Sequence, residues 1–205
     1  MPKPAINTLI HPPFNHKLSL YVDKIIRMIR ELEKISPEYK SHLIVKRLEK
    51  GEFLLQEGAV CKSVWYVKEG LLKSFYRKNE KEIITFFGYP GMILASNQSF
   101  IMQEPCRDNI QAITDSTVYA INRESHFLLR DTYPLFLEID QAINEIYVMW
   151  LEERLRLIQF CTARERYAWL MQNEPFLIHQ IPVTLLASYL GMTTETLSRI
   201  RSTHK

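Results

Sequence analysis

Residues 182–205 read PVTLLASYLGMTTETLSRIRSTHK. Pro182 suits the first turn of a helix, where its missing N–H costs nothing. Leu185, Leu186 and Leu190 make an apolar face, Ala187 is small, and Gly191 follows four residues later. Thr193 is placed to cap a second helix, which turns Leu197 and Ile200 inward. This spacing is that of a helix-turn-helix: a small residue lets the second helix cross closely, a glycine makes the turn, and apolar residues lock the angle. The outer face of the second helix carries Thr194, Glu195, Ser198 and Arg199. Glutamate accepts from the cytosine amino group, and arginine donates to guanine O6 and N7. Arg201, His204 and Lys205 fall near the helix end, where phosphate contact is expected. The expected DNA-contacting set is Thr193, Thr194, Glu195, Ser198, Arg199, Arg201 and Lys205. The alternative is a plain helical hairpin inside a core.

Upstream, the apolar positions Ile139, Ala142, Ile143, Ile146, Met149, Trp150, Leu155 and Ile158 predict one long helix over about 135–160. A helix that long outruns a small domain, so a second copy of the chain is expected to bury the surplus stripe. A shorter helix is predicted over about 163–172, broken at Asn173-Glu174-Pro175. From Ile44 to Ile121 the texture is different. Short β-branched and aromatic runs (Phe53–Leu55, Val64–Val67, Leu71–Tyr76, Ile83–Phe87, Ile110–Thr114, Thr117–Ile121) alternate with turns at Glu57-Gly58, Glu69-Gly70, Lys78-Asn79 and Pro90-Gly91. That spacing predicts an antiparallel barrel or sandwich. The uncharged run from Ile83 to Gln103 is read as strand, turn, strand rather than as a membrane span, because Gly88, Pro90 and Gly91 interrupt it. Residues 17–35 carry Leu18, Val22, Ile25, Ile29 and Leu32 at helical spacing.

The fold class expected is therefore α+β. Residues 1–43 form an N-terminal helical segment and 44–122 a β-domain. Residues 123–162 supply a linker and long helix, and 163–205 a helix-turn-helix domain. Charge adds little, since a net +3 over 205 residues permits a nucleic-acid partner without requiring one. Three separated cysteines, Cys61, Cys106 and Cys161, exclude a disulfide framework. With no secretory h-region, a cytoplasmic location is expected.

In order and spacing, five pieces resemble the Crp/Fnr family of bacterial transcription regulators, most like its short members in Bacteroidetes-type bacteria. They are KGEFLLQEG (Lys50–Gly58), VWYVKEGLLKSFY (Val64–Tyr76), FFGYPGMI (Phe86–Ile93), DNIQAITDSTVYAI (Asp108–Ile121) and ETLSRIR (Glu195–Arg201). The resemblance implies a jelly-roll β-domain of the cyclic-nucleotide-binding type, a dimerisation helix and a winged helix-turn-helix. Only four residues follow Arg201, so the wing is expected to be short or absent. Glu195 and Arg199 match two base-reading positions of the family, while Thr194 stands where many members carry arginine. The implied partners are double-stranded DNA, a second copy of the chain, RNA polymerase and a small-molecule effector, with no membrane.

The sequence departs from the family's cyclic-nucleotide binders. Where those carry a glutamate for the ribose and an arginine for the cyclic phosphate, this chain has Ser96 and Cys106. Neither supplies a cationic clamp. Arg107 is one residue off register, which in a strand turns it to the other face. The pocket is expected at Leu94, Ser96, Cys106 and Arg107, and cyclic AMP is not expected to control the protein. The N-terminal cysteine cluster of iron–sulfur members is absent, and His42 and His126 are isolated, so no metal or cofactor is expected. The strands from Val64 to Thr117 hold no histidine and the chain holds no G-x-S-x-G, which excludes a cupin-type metalloenzyme and a serine hydrolase. The competing class is a ligand-sensing module that has lost DNA binding.

Overall fold

The computed structural model describes residues 37–203 together with Arg27, Met28 and Glu31. The helix expected over 17–35 lies almost wholly outside the described residues, and Lys205 lies outside them too.

Two four-stranded antiparallel sheets face each other. The first runs in the order β1 (Ile44–Leu48), β8 (Ser116–Asn122), β3 (Ser63–Glu69), β6 (Ile93–Leu94). The second runs β2 (Phe53–Leu55), β7 (Asn109–Ala112), β4 (Leu72–Lys78), β5 (Lys81–Gly88). Alternation along the strands fills the space between them with Leu48, Leu55, Trp65, Val67, Leu72, Ile110 and Val118. Asn79 (φ 48°) and Glu80 (φ 63°) join β4 to β5 as a two-residue hairpin turn with both central residues left-handed. Gly70 (φ +92°) is obligatory, since a Cβ there would sit 2.2 Å from Ser116 Oγ.

The second sheet is covered on both sides, which is why Leu72, Lys73, Ser74 and Phe75 are buried in succession. Its outer face meets the C-terminal helices α4 (Ala163–Asn173), α5 (Pro175–Gln180), α6 (Val183–Tyr189) and α7 (Thr194–Ser202). Leu71, Phe75, Ile84, Phe87 and Tyr89 from the β-domain share one apolar cluster with Leu170, Leu177, Leu186, Ala187, Tyr189, Leu190, Leu197 and Ile200. The C-terminal helices are thus packed into the β-domain rather than tethered beside it.

The β-domain ends in α2 (Arg123–Thr132), capped where the Asn122 side chain accepts from the Ser125 N–H at 2.8 Å. The 27-residue α3 (Pro134–Phe160) follows, opened by Pro134 at its first turn. Its early face, Phe136, Ile139 and Ala142, packs on Leu129, Tyr39 and Met28, with Ile143 and Ile146 half-buried against the same cluster. A different stripe is exposed: Tyr147, Val148, Leu151, Leu155 and Ile158. Thr162 and Glu165 then form a reciprocal capping box that starts α4.

Two sequence expectations are corrected, and one strand is added to the β-domain. Residues 83–103 are not simply strand, turn, strand, because β6 leads into a helix, α1 (Asn97–Met102). Ser99 and Phe100 bury its inner face, and Gln103 (φ 57°) ends it. A strand at Ile44–Leu48 pairs antiparallel with β8, although its lysine and arginine hide it in the sequence. Arg107 lies in a bend before β7, not in a strand, because Pro105 bridges Val60 just ahead of it.

Candidate nucleic-acid interface and ligand site

The helix-turn-helix forms where the spacing placed it. Pro182 stands at the N-cap of α6, one residue earlier than expected. After α6 the Gly191 N–H donates to the Ser188 carbonyl and the Met192 N–H to the Ala187 carbonyl, both at 3.0 Å. With Gly191 at φ +63°, this is the paired closure that ends a helix in a left-handed residue. Arg166 of α4 braces the turn, donating to the Gly191 carbonyl at 3.1 Å. Thr193 caps α7, its hydroxyl accepting from the Thr196 N–H at 3.2 Å. Leu197 and Ile200 are buried and fix the crossing of α7 on α6.

The outer face of α7 carries Glu195, Ser198 and Arg199, all exposed, with Thr194 and Arg201 half-buried beside them. Positions three and four apart share one helical face, so these side chains form a single row. The Glu195 carboxyl is held below its usual range by its own backbone amide first and by the Thr193 hydroxyl second. It therefore stays an acceptor, as a contact to an amino group requires. Arg199 makes no ion pair within the described residues.

The residues expected to line a ligand pocket lie in the β-domain, between β6, α1 and the loop before β7. Leu94 is buried in the roll interior. Ser96 is buried and donates to Asp108 Oδ1 at 2.6 Å. Cys106 is buried, its thiol donating to the Gln56 carbonyl (3.2 Å) and to the Asp108 carbonyl (3.3 Å). Ser96 and Cys106 thus meet at Asp108, while Arg107 is exposed and stays outside. Sequence reasoning missed Asp108, although it sits only two residues beyond Cys106. Its carboxylate also faces Tyr76 and Tyr147, whose hydroxyls are pushed up by burial first and by this charge second or later. Burial raises the Cys106 and Cys61 thiols, with Asp108 adding to the rise, so both stay protonated and poorly nucleophilic.

His42 and His126 are occupied elsewhere. His42 Nδ1 pairs with Ser125 Oγ at 3.0 Å. His126 lies among Phe100, Phe127 and Phe136, with Nε2 3.4 Å from Asp140. Among the described residues no group of three or more His, Cys, Asp or Glu could hold a metal ion. Among them, too, no helix is long and apolar enough to cross a membrane.

Residues 45–133 match the family model described as the cyclic nucleotide-binding domain. The Electron transport regulator A of Shewanella oneidensis is 25% identical over 174 residues, 76% of this chain and 66% of that protein. The chain thus spans just under two thirds of that relative's length. Among solved structures, FixK2 from Bradyrhizobium japonicum superposes with a TM-score of 0.65 at 22% identity, covering 78% of this chain and 83% of that one. A CooA variant from Carboxydothermus hydrogenoformans gives a TM-score of 0.64 at 19% identity, covering 82% of this chain and 78% of that one. A β-roll of the cyclic-nucleotide-binding type, a long helix and a helix-turn-helix thus stand in one chain. The chain shares this fold with both solved structures.

Proposed function

We propose that this protein is a homodimeric, sequence-specific DNA-binding transcription regulator of the bacterial cytoplasm, not controlled by cyclic AMP. The observation that carries the reading is α7. It is capped by Thr193, locked by Leu197 and Ile200, and left with Thr194, Glu195, Ser198 and Arg199 along its outer face. Glu195 and Arg199 read base edges, and Arg201 holds a phosphate. Arginine and glutamate four apart sample adjacent base pairs, the arrangement a recognition helix needs.

The dimer forms through α3. Val148, Leu151 and Leu155 fall at three- and four-residue spacing and are all exposed, which supports a second α3 packed against them. This shifts the interface from Ile143 and Ile146, which the chain's own core half-covers. Two α7 helices related by such an axis enter half-sites about one DNA turn apart.

Cyclic AMP is a poor effector because Cys106 stands where the family's binders offer a cation, and the Asp108 carboxylate lies close to it. Ser96 and Cys106 are already committed to Asp108 and to backbone carbonyls. The chain has no enzymatic role in this reading, and RNA polymerase and an effector of different chemistry are its remaining partners. Selection of genomic fragments by the purified full chain at moderate salt tests the proposal. Enrichment of fragments sharing a two-fold motif is expected, and enrichment no greater than non-specific background would overturn it.

A further inference from the structure

The joint between the β-domain and the DNA-binding helices is built from polar groups as well as the shared core. Strand β5 is an edge strand, and α6 takes up its open hydrogen bonds. Ser188 Oγ accepts from the Ile84 N–H at 3.0 Å and donates to the Glu82 carbonyl at 2.7 Å. One hydroxyl thus stands in for a neighbouring strand. The next residue, Tyr189, is buried against Phe87, with ring centroids 5.0 Å apart. Its carbonyl accepts from Arg154 of α3 at 2.8 Å, and the Arg154 guanidinium lies 4.1 Å from its ring centroid.

Behind Tyr189 lies Glu174, only 3% exposed at the junction of α4 and α5. Its Oε2 accepts from the Tyr189 hydroxyl at 3.4 Å. The charged and titratable groups that face it are Arg154 from α3, Tyr189 from α6 and Tyr89 from the segment after β5. The cluster is underbonded: Tyr89 Oη and Arg154 Nη1 are buried with no hydrogen-bond partner. Such groups make a joint that opens more readily than an apolar one, because water satisfies them on opening.

We propose that this joint is a pH-sensitive latch: protonated Glu174 holds the DNA-binding helices docked on β5, and its ionisation releases them. Burial is the largest cause acting on Glu174 and pushes its carboxyl up to about 7, against partial relief from Arg154 and the Tyr189 hydroxyl. Undocking takes Tyr89, the β-domain group that faces Glu174, away from it, and a carboxyl opened to water on that side falls back toward the ordinary range near 4.5. The docked form therefore binds the proton more tightly. Docking is strongest below the ordinary carboxylate range, and its advantage is lost as pH rises through about 7. The full change in the opening equilibrium is on the order of a hundred-fold.

The proposal rests on the regulator reading for its purpose, which is to set the orientation of α7, but not for its test. Amide exchange of Ile84 in the DNA-free full chain reports the latch directly, since that N–H is held by Ser188. After correction for intrinsic exchange, its protection should fall on the order of a hundred-fold between pH 5 and pH 8. Glu174→Gln should keep the high protection at every pH. Ser188→Ala, which removes the acceptor itself, should leave the Ile84 N–H poorly protected at both pH values, and strong protection that survives there would show that docking is not what the exchange reports. Flat protection in the unaltered chain would overturn the latch, and so would pH dependence that survives in Glu174→Gln. Because no DNA is present, either result leaves the DNA-binding reading to be decided by fragment selection.

Discussion

Leu186→Ala is the sharpest perturbation of the shared core. Leu186 is fully buried on α6 and belongs to the apolar cluster that also holds Phe75, Ile84 and Phe87 of the β-domain. Removing a buried leucine side chain costs the transfer of its methyl groups plus the cavity left behind, about 3 kcal/mol in total. Divided by a urea slope of about 2–3 kcal/mol per molar for a chain of this size, the unfolding midpoint should move by about 1–1.5 M. The three tryptophans supply the assay, because Trp65 lies on β3, Trp150 on α3 and Trp169 on α4. Fluorinated tryptophan gives one NMR resonance from each region. At pH 5.5, where the latch is closed, all three native resonances should fade together and shift together in Leu186→Ala. A shift confined to Trp169, with Trp65 unmoved, would show that the helix-turn-helix folds apart from the β-domain and would refute the shared core.

Leu151→Glu places a charge in the middle of the exposed α3 stripe and should give monomers by light scattering; a variant that stays dimeric places the interface elsewhere. Millimolar cyclic AMP should leave the melting temperature unchanged, whereas a ligand at a hundred times its dissociation constant would add about 2.7 kcal/mol and be plain in a thermal scan. Gly70→Ala should destabilise the roll severely, because the added methyl would meet Ser116 Oγ at 2.2 Å and the Asp115 carbonyl at 2.5 Å on a left-handed backbone. Normal thermal stability in that variant would mean that the β3–β4 turn is not held as described.

Most of the architecture was legible because it rests on periodicity and turn chemistry. The strands of the roll announced themselves through β-branched runs between Gly58, Gly70 and Gly91, all of which take positive φ. The helix-turn-helix was legible for the same reason: Ala187, Gly191, Thr193 and Leu197 each do one local job, at a spacing no other element needs. The six residues of α1 are too short for a periodicity, and only burial of Ser99 and Phe100 selects helix there. Long-range pairing escaped the sequence altogether. Nothing local says that Ser188 meets Ile84, 104 positions away, or that Arg154 meets Tyr189, 35 positions away. Glu174 was read as part of a helix break, which it is, and its burial follows only from docking. The sequence reading puts Ser96 and Cys106 in one expected pocket but omits Asp108, whose carboxylate accepts from Ser96 and whose backbone carbonyl accepts from Cys106. Arg107 was assigned to the pocket and stands outside it.

Comparison of Arg199→Ala with Arg201→Ala, on a selected site and on random DNA over a range of salt, tests the central claim most directly. Arg199 is exposed on the outer face of α7, and Arg201 is half-buried near the helix end. Arg199→Ala should cost about 1–3 kcal/mol on the selected site and relax preference at one base pair, with little loss on random DNA. Arg201→Ala should weaken both alike and reduce the salt slope by about one, since a phosphate contact releases a counterion without reading a base. Equal losses on both DNAs for Arg199→Ala would contradict base reading by α7, and unchanged binding in both variants would contradict the DNA-binding account itself.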